Sequence, residues 1–366
     1  MAPSLVKLAA QALPLASRGI YTGFTTTALI PWYENAGSGV DWSSNVHVSV
    51  RMGSTSGTSY RPIVDTGTQG MVWSAIDMDY DFNIPCADQG SWGWEFLSSS
   101  KILYEGCWVT RDFFFNVGSA TNPVVKARVP VLAKIYNSTC PTFDKASTTG
   151  LCPDTSVPRA ANVSGTRMMG IGWGREYDGQ PQGTPDKNPL RHIISIGSTT
   201  VDTTNYSEGY IIDKYGLQVG LTESNTASMS FYALENHPTI AGEYREARAC
   251  ISIDGATCSP GTAVLDTGIA QSYMRMPSGT VMNRDAAHHL LDNSVVSIRF
   301  GVPPPGTPVA TESFTVGTPS TPNVNPEYVS AVINGEPTYV NTGRRVYRAF
   351  ITAFDGKNAR YGFKSA

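Results

Sequence analysis

The chain has 366 residues, a formal net charge of −3 and only 16 % charged side chains. That balance creates no strong field, so neither a nucleic acid nor a membrane is expected as a partner. No apolar run approaches the roughly 18 residues of a membrane-spanning helix, and the length suits two lobes around a substantial core.

Residues 1–33 read as an N-terminal arm or targeting segment. The stretch 5–16 has the length of a signal-peptide core. Lys7, Gln11 and Pro14 interrupt it, so a short amphipathic helix or arm fits equally well. The strand pattern starts at "NVHVSVRMG", residues 45–53, where Val46, Val48, Val50 and Met52 alternate with polar residues. "STSGTS" is a turn, and "YRPIVD" returns as a strand ending at Asp65. A second hairpin is expected in "SKILYEGCWVTRDFFF", with Glu105-Gly106 as its turn. "VVKARVPVLAKIY" is a further strand, and 137–165 reads as a loop rich in Cys, Pro, Ser and Thr. In "RMMGIGWG", residues 167–174, apolar residues meet three closely spaced glycines, the mark of close backbone approach.

The second half repeats this order. "RACISIDGATC" forms a hairpin around Asp254-Gly255, a strong turn signal, and leads into a strand ending at Asp266. A short helix is expected over 284–292, where Ala286, Leu290 and Leu291 share a face. "VSIRFG" is a strand, and 302–326 is a long loop of Pro and Thr. Two strands around Asp355-Gly356 close the chain. The expected lobes are 34–205 and 206–366. Because short strands punctuated by Gly and Pro dominate throughout, the class is all-β.

Six cysteines suit a disulfide framework and a secretory compartment, though six buried thiols in an intracellular protein are the alternative. A tight turn at Asp254-Gly255 brings Cys250 and Cys258 near bridging distance. Cys140 and Cys152 could close the loop between them, leaving Cys86 for Cys107. Sequons at Asn137, Asn162 and Asn205 agree with a secreted glycoprotein. The five histidines show no metal-ligand spacing, and the glycines at 170, 172 and 174 precede no helix that would hold a phosphate, so no metal or cofactor is expected.

Each half thus runs an apolar pair into the same tripeptide: Asp65-Thr66-Gly67 in "IVDTGTQGMVW" and Asp266-Thr267-Gly268 in "AVLDTGIAQSYM". Such a loop exposes a carboxylate where a strand runs out, Gly permits the tight turn, and the Thr hydroxyl can bond across a twofold axis. Two such loops brought together would set the carboxylates close enough to share one proton, since like charges at that range do not both ionise. Two turns in which Asp merely caps backbone N–H groups are the structural alternative.

With "MMGIGWG" and the closing "RRVYRAFITAFDGKNARYGF", these motifs resemble the pepsin-like aspartic proteases, from about Trp42 to the C-terminus. The resemblance implies a two-lobed all-β fold with pseudo-twofold symmetry and a central cleft. It implies Asp65 and Asp266 as the catalytic dyad, supported by Thr66, Gly67, Thr68, Thr267 and Gly268. The protein would then be a monomer that hydrolyses a peptide bound in the cleft. Family members usually follow each Asp-Thr-Gly with a hydroxyl that donates to the carboxylate. Thr68 retains it and Ile269 does not, so Asp266 is expected to hold its proton more readily. The candidate flap tyrosine is Tyr104, on an arm that reads several residues short. Its supporting indole would be Trp73, one position off the usual place, and a one-residue shift turns a strand side chain to the other face. In "VNTG", residues 340–343, Asn341 and Thr342 stand where apolar residues are usual. These departures leave two alternatives to an endopeptidase. One is an enzyme acting on a small apolar metabolite by hydrolysis, isomerisation or cyclisation. The other is an idle binding module.

Overall fold

A computed structural model describes residues 19–35, 37–175, 182–301, 306–334 and 337–366. The targeting reading of the first residues lies outside these. Among the described residues strands form three sheets. An 11-stranded sheet belongs to the first half of the chain and a 7-stranded one to the second. A 6-stranded sheet spans both. In that shared sheet Ala28–Pro31 pairs with Gly216–Val219 and Tyr210–Asp213 with Phe350–Asp355, so the early segment contributes a strand of its own. A buried cluster fastens it: the Tyr21 hydroxyl donates to Asp355, and Arg360 bonds both Asp355 and Tyr21.

The two lobes repeat one construction. In the first, Arg167–Ile171 lies parallel to Ile63–Asp65 and antiparallel to Gln69–Ser74. In the second, Tyr339–Asn341 lies parallel to Ser259–Val264 and antiparallel to Ser272–Met276. Each crossing strand threads behind a loop carrying Asp-Thr-Gly. A Cβ on Gly170 would stand 2.7 Å from both the Gly70 carbonyl oxygen and the Thr68 hydroxyl, so only glycine fits there. The pseudo-twofold arrangement read from the duplicated motifs is therefore a property of the fold.

Three disulfides join Cys86 to Cys107, Cys140 to Cys152 and Cys250 to Cys258, with Cα separations of 5.7, 5.8 and 5.5 Å. Asp254 and Gly255 take φ of 52° and 74°, the left-handed pair expected of a tight hairpin turn. Of the sequon asparagines, Asn162 is exposed. Asn205 spends its side-chain nitrogen on the Thr200 carbonyl.

Three local expectations are corrected. Glu105-Gly106 is not a turn: it lies within one strand, Ile102–Phe115, that pairs along its length with Val125–Thr139 and bulges beside that dipeptide. The hairpin turn comes earlier, at residues 98–101, between Ser91–Leu97 and Ile102–Phe115. Residues 284–292 form no helix, because His288 sits at φ 66° and the Asp285 carboxylate accepts from the backbone N–H of Ala287 and His289. The long Pro/Thr loop contains a strand, Ala310–Thr315, paired with Val295–Phe300.

Candidate active site

Asp65 ends Ile63–Asp65, and Asp266 lies two residues past Ser259–Val264. Their loops are locked to each other by reciprocal bonds. The Thr267 hydroxyl donates to the Val64 carbonyl at 2.7 Å, and the Thr66 hydroxyl donates to the Leu265 carbonyl. In return the Thr267 N–H donates to the Thr66 hydroxyl at 2.9 Å and the Thr66 N–H to the Thr267 hydroxyl at 3.1 Å. Both threonines are buried, so these bonds resist exchange with water. The Tyr347 hydroxyl adds a donor to the Leu265 carbonyl at 3.1 Å while its ring stacks on Trp42, centroids 4.9 Å apart.

One guanidinium braces each loop from behind. Arg175, 2 % exposed, donates to the Gly67 carbonyl at 2.8 Å and pairs with Glu246. Arg344 donates to the carbonyls of Thr267 and Gly268, and to Asn45 in the other lobe. Neither arginine was singled out from the sequence. No spacing rule marks them, since each reaches its loop from a distant segment.

The two carboxyls are brought together. Each accepts the N–H of its own loop glycine, Gly67 on Asp65 at 2.6 Å and Gly268 on Asp266 at 2.7 Å. Burial, then the charge of Asp266 and a hydrogen bond to it, push the Asp65 carboxyl well above the usual carboxylate range. Burial beside a second acid therefore favours the protonated form of Asp65.

The hydroxyl missing at Ile269 has a substitute. Asp266 does not lack an outer donor: the Asn341 side-chain amide donates to its Oδ2 at 2.6 Å. Asn341 is held in turn by the Gly343 N–H, which donates to its Oδ1 at 3.0 Å. The amide that departs from the usual pattern thus replaces the missing hydroxyl. Thr68, by contrast, lines the site but its buried hydroxyl finds no partner among the described residues, Asp65 included.

The pair opens onto a cavity of about 570 Å³. Its roof is the hairpin tip, Leu97 through Lys101, and one wall is the face carrying Tyr273, Arg275, Val332 and Tyr339. The hairpin pairs a first arm of 7 residues, Ser91–Leu97, with the start of the 14-residue strand Ile102–Phe115. Tyr104 falls on the second arm, opposite Glu95. Burial pushes its hydroxyl up to about 12, and it does not line the cavity. Trp73 points the other way, into the core, 5.2 Å from the Tyr60 ring and 6.1 Å from Phe113. Its neighbour Val72 faces the hairpin, clustered with Trp108, Leu132 and Met168 against Leu97 and Tyr104. The indole packed on Val72 is that of Trp108, on the hairpin's own second arm, fixed by its N–H to the Gln182 side chain at 2.7 Å.

One further acid lies nearby. Glu95, 2 % exposed, has both carboxyl oxygens without a hydrogen-bond partner among the described residues. Burial, then the charge of Asp65, hold its carboxyl well above the usual range and so favour its protonated form.

No protein-family model matches this sequence, and no curated protein matches it. Among solved structures the chain is similar to an aspartic proteinase from Irpex lacteus. The two share 14 % identity over 93 % of this chain and 98 % of that one, with a TM-score of 0.49.

Proposed function

We propose that the chain is an aspartic endopeptidase that works in acid. The observation that carries this reading is the Asp65–Asp266 pair, within hydrogen-bonding reach and bordering an open cavity beneath a hairpin. A water held between the carboxyls would give a proton to Asp266 as its oxygen attacks the peptide carbonyl. Asp65 would pass its proton to the carbonyl oxygen, giving a tetrahedral diol. As the C–N bond breaks, the proton on Asp266 moves to the departing nitrogen and Asp65 recovers one from the diol. The pair returns to its starting state with one water consumed.

The cavity favours a peptide over a small apolar metabolite. Its lining includes Lys101, Lys145, Arg175 and Arg275 beside the two acids, and the hairpin above it presents the polar Ser98, Ser99 and Ser100. Three disulfides fit a secreted protein. The test is incubation of purified protein with denatured protein substrates from pH 3 to pH 7, with and without pepstatin. Pepstatin-sensitive cleavage confined to acid is expected. Folded protein that cleaves nothing at any pH refutes the proposal.

A further inference from the structure

Alternation along three neighbouring strands builds one wall of the cavity. Ser272–Met276 lies between Val329–Ile333 and Tyr339–Asn341, with Arg275 paired to Val332 on one side and to Tyr339 on the other. Cross-strand partners share a face, so Arg275 sits at the centre of this wall. Its guanidinium lies over the Tyr339 ring, 4.7 Å from the centroid. That contact restrains the guanidinium without neutralising its charge. No carboxylate pairs with Arg275 among the described residues, and its Nε is buried with no acceptor. A buried donor without a partner is costly to maintain. Across the cavity, at the hairpin tip, the exposed Lys101 also has no acid partner among the described residues. Arg175 differs, because Glu246 compensates it.

With one proton shared between Asp65 and Asp266, the pair carries a single negative charge. The two uncompensated cations outweigh it.

Resting on the protease reading above, we propose that the cleft selects acidic peptides. The Arg275 guanidinium, held over the Tyr339 ring and aided by Lys101, receives the carboxylate of an Asp or Glu side chain on the bound substrate strand. A carboxylate accepts two parallel N–H bonds from the planar guanidinium. Free Asp and Glu titrate near pH 4, so the substrate group is ionised across most of the range in which the acid pair works.

The experiment uses the full-length Asp266→Asn protein and fluorescent heptapeptides of Ala and Leu with a single Glu or Gln placed at each position in turn. Binding is read by anisotropy at pH 5. At one position the Glu peptide should bind about tenfold more tightly than its Gln twin, the worth of one hydrogen bond to a charged group. That preference should vanish in Arg275→Gln, persist in part in Arg275→Lys, and fade below pH 3.5 as the substrate carboxyl protonates. Should Arg275→Gln not fold, Lys101→Gln supplies the second variant, with a smaller loss of the same preference. Equal binding of Glu and Gln peptides at every position overturns the proposal, as does a preference that survives Arg275→Gln or an absence of peptide binding up to millimolar. Cleavage by the wild-type protein is scored separately. A Glu preference without cleavage removes the protease reading and leaves the acid-binding wall, whereas cleavage without that preference does the reverse.

Discussion

Replacing Asn341 by Leu removes the amide donor that reaches Oδ2 of Asp266, now 2.6 Å away. Leu keeps the same side-chain branching and heavy-atom count, although its methyl groups are bulkier, and it can donate no hydrogen bond. Asn341 is 8 % exposed and Asp266 6 %, so water does not readily take the donor's place. A buried hydrogen bond to a charged group contributes about 1.5–3 kcal/mol. Because one pH unit corresponds to about 1.4 kcal/mol, ionising the pair should become harder by about 1–2 pH units. The acidic limb of a pH–rate profile, which reports formation of the singly ionised pair, should move up by that amount. The same variant orphans the Gly343 N–H, which costs a further ~1–3 kcal/mol of stability. That second cost is independent of pH, whereas the first disappears once both acids are protonated, so melting curves recorded from pH 2.5 to pH 7 separate them. An acidic limb unmoved in Asn341→Leu, with a stability loss constant across pH, would refute the role assigned to the amide.

A Cβ on Gly268 would stand 2.7 Å from Asp65 Cγ, so Gly268→Ala should wedge the pair apart. It should abolish cleavage while costing only about 1–3 kcal/mol of stability, measured by denaturant unfolding. Glu312 is 3 % exposed and its Oε2 has no partner among the described residues; burial raises it from its ordinary 4.5 to about 8. A carboxyl raised in the folded state binds more protons there than in the unfolded chain between those two values. Stability is therefore full below pH 4.5 and is lost as pH climbs toward 8, by about 5 kcal/mol for this group alone. Glu312→Gln should flatten that fall in thermal melts, and an unchanged slope between pH 5 and pH 8.5 would contradict it. Glu95, raised in the same direction by burial, should add to the alkaline lability, and Glu95→Gln should relieve its share.

Much of this design was readable in the residues, and where reading failed the causes are specific. Two Asp-Thr-Gly loops announce themselves because only a strand end, a hydroxyl and a glycine make that grip. The pairing of Cys250 with Cys258 was visible for a similar reason: its turn chemistry is local. The hairpin over the cleft was misread because Glu105-Gly106 carries a turn signal for another purpose. A Cβ at Gly106 would collide with the Ala133 carbonyl, so the glycine serves a close strand approach beside a bulge. The true turn, residues 98–101, holds three serines and a lysine and carries neither Gly nor Pro. Trp73 and Val72 show how a one-residue shift reverses a strand's faces: the valine took the side expected of the indole. Asn341 stood out as a departure, but its use depends on register. Only the pairing of Val264 with Asn341 brings that amide beside Asp266. Arg175, Arg344 and Arg275 left no mark in the sequence, because a cation's role here depends on which carbonyl, acid or ring lies across from it.

The most direct measurement is cleavage of a denatured protein at pH 3 to 5 by the wild-type chain and by Asp65→Asn and Asp266→Asn, each verified as folded by its melting curve. Activity in the wild type and its loss by several orders of magnitude in both variants is the expected result. Cleavage that persists in either variant would contradict the shared-proton pair.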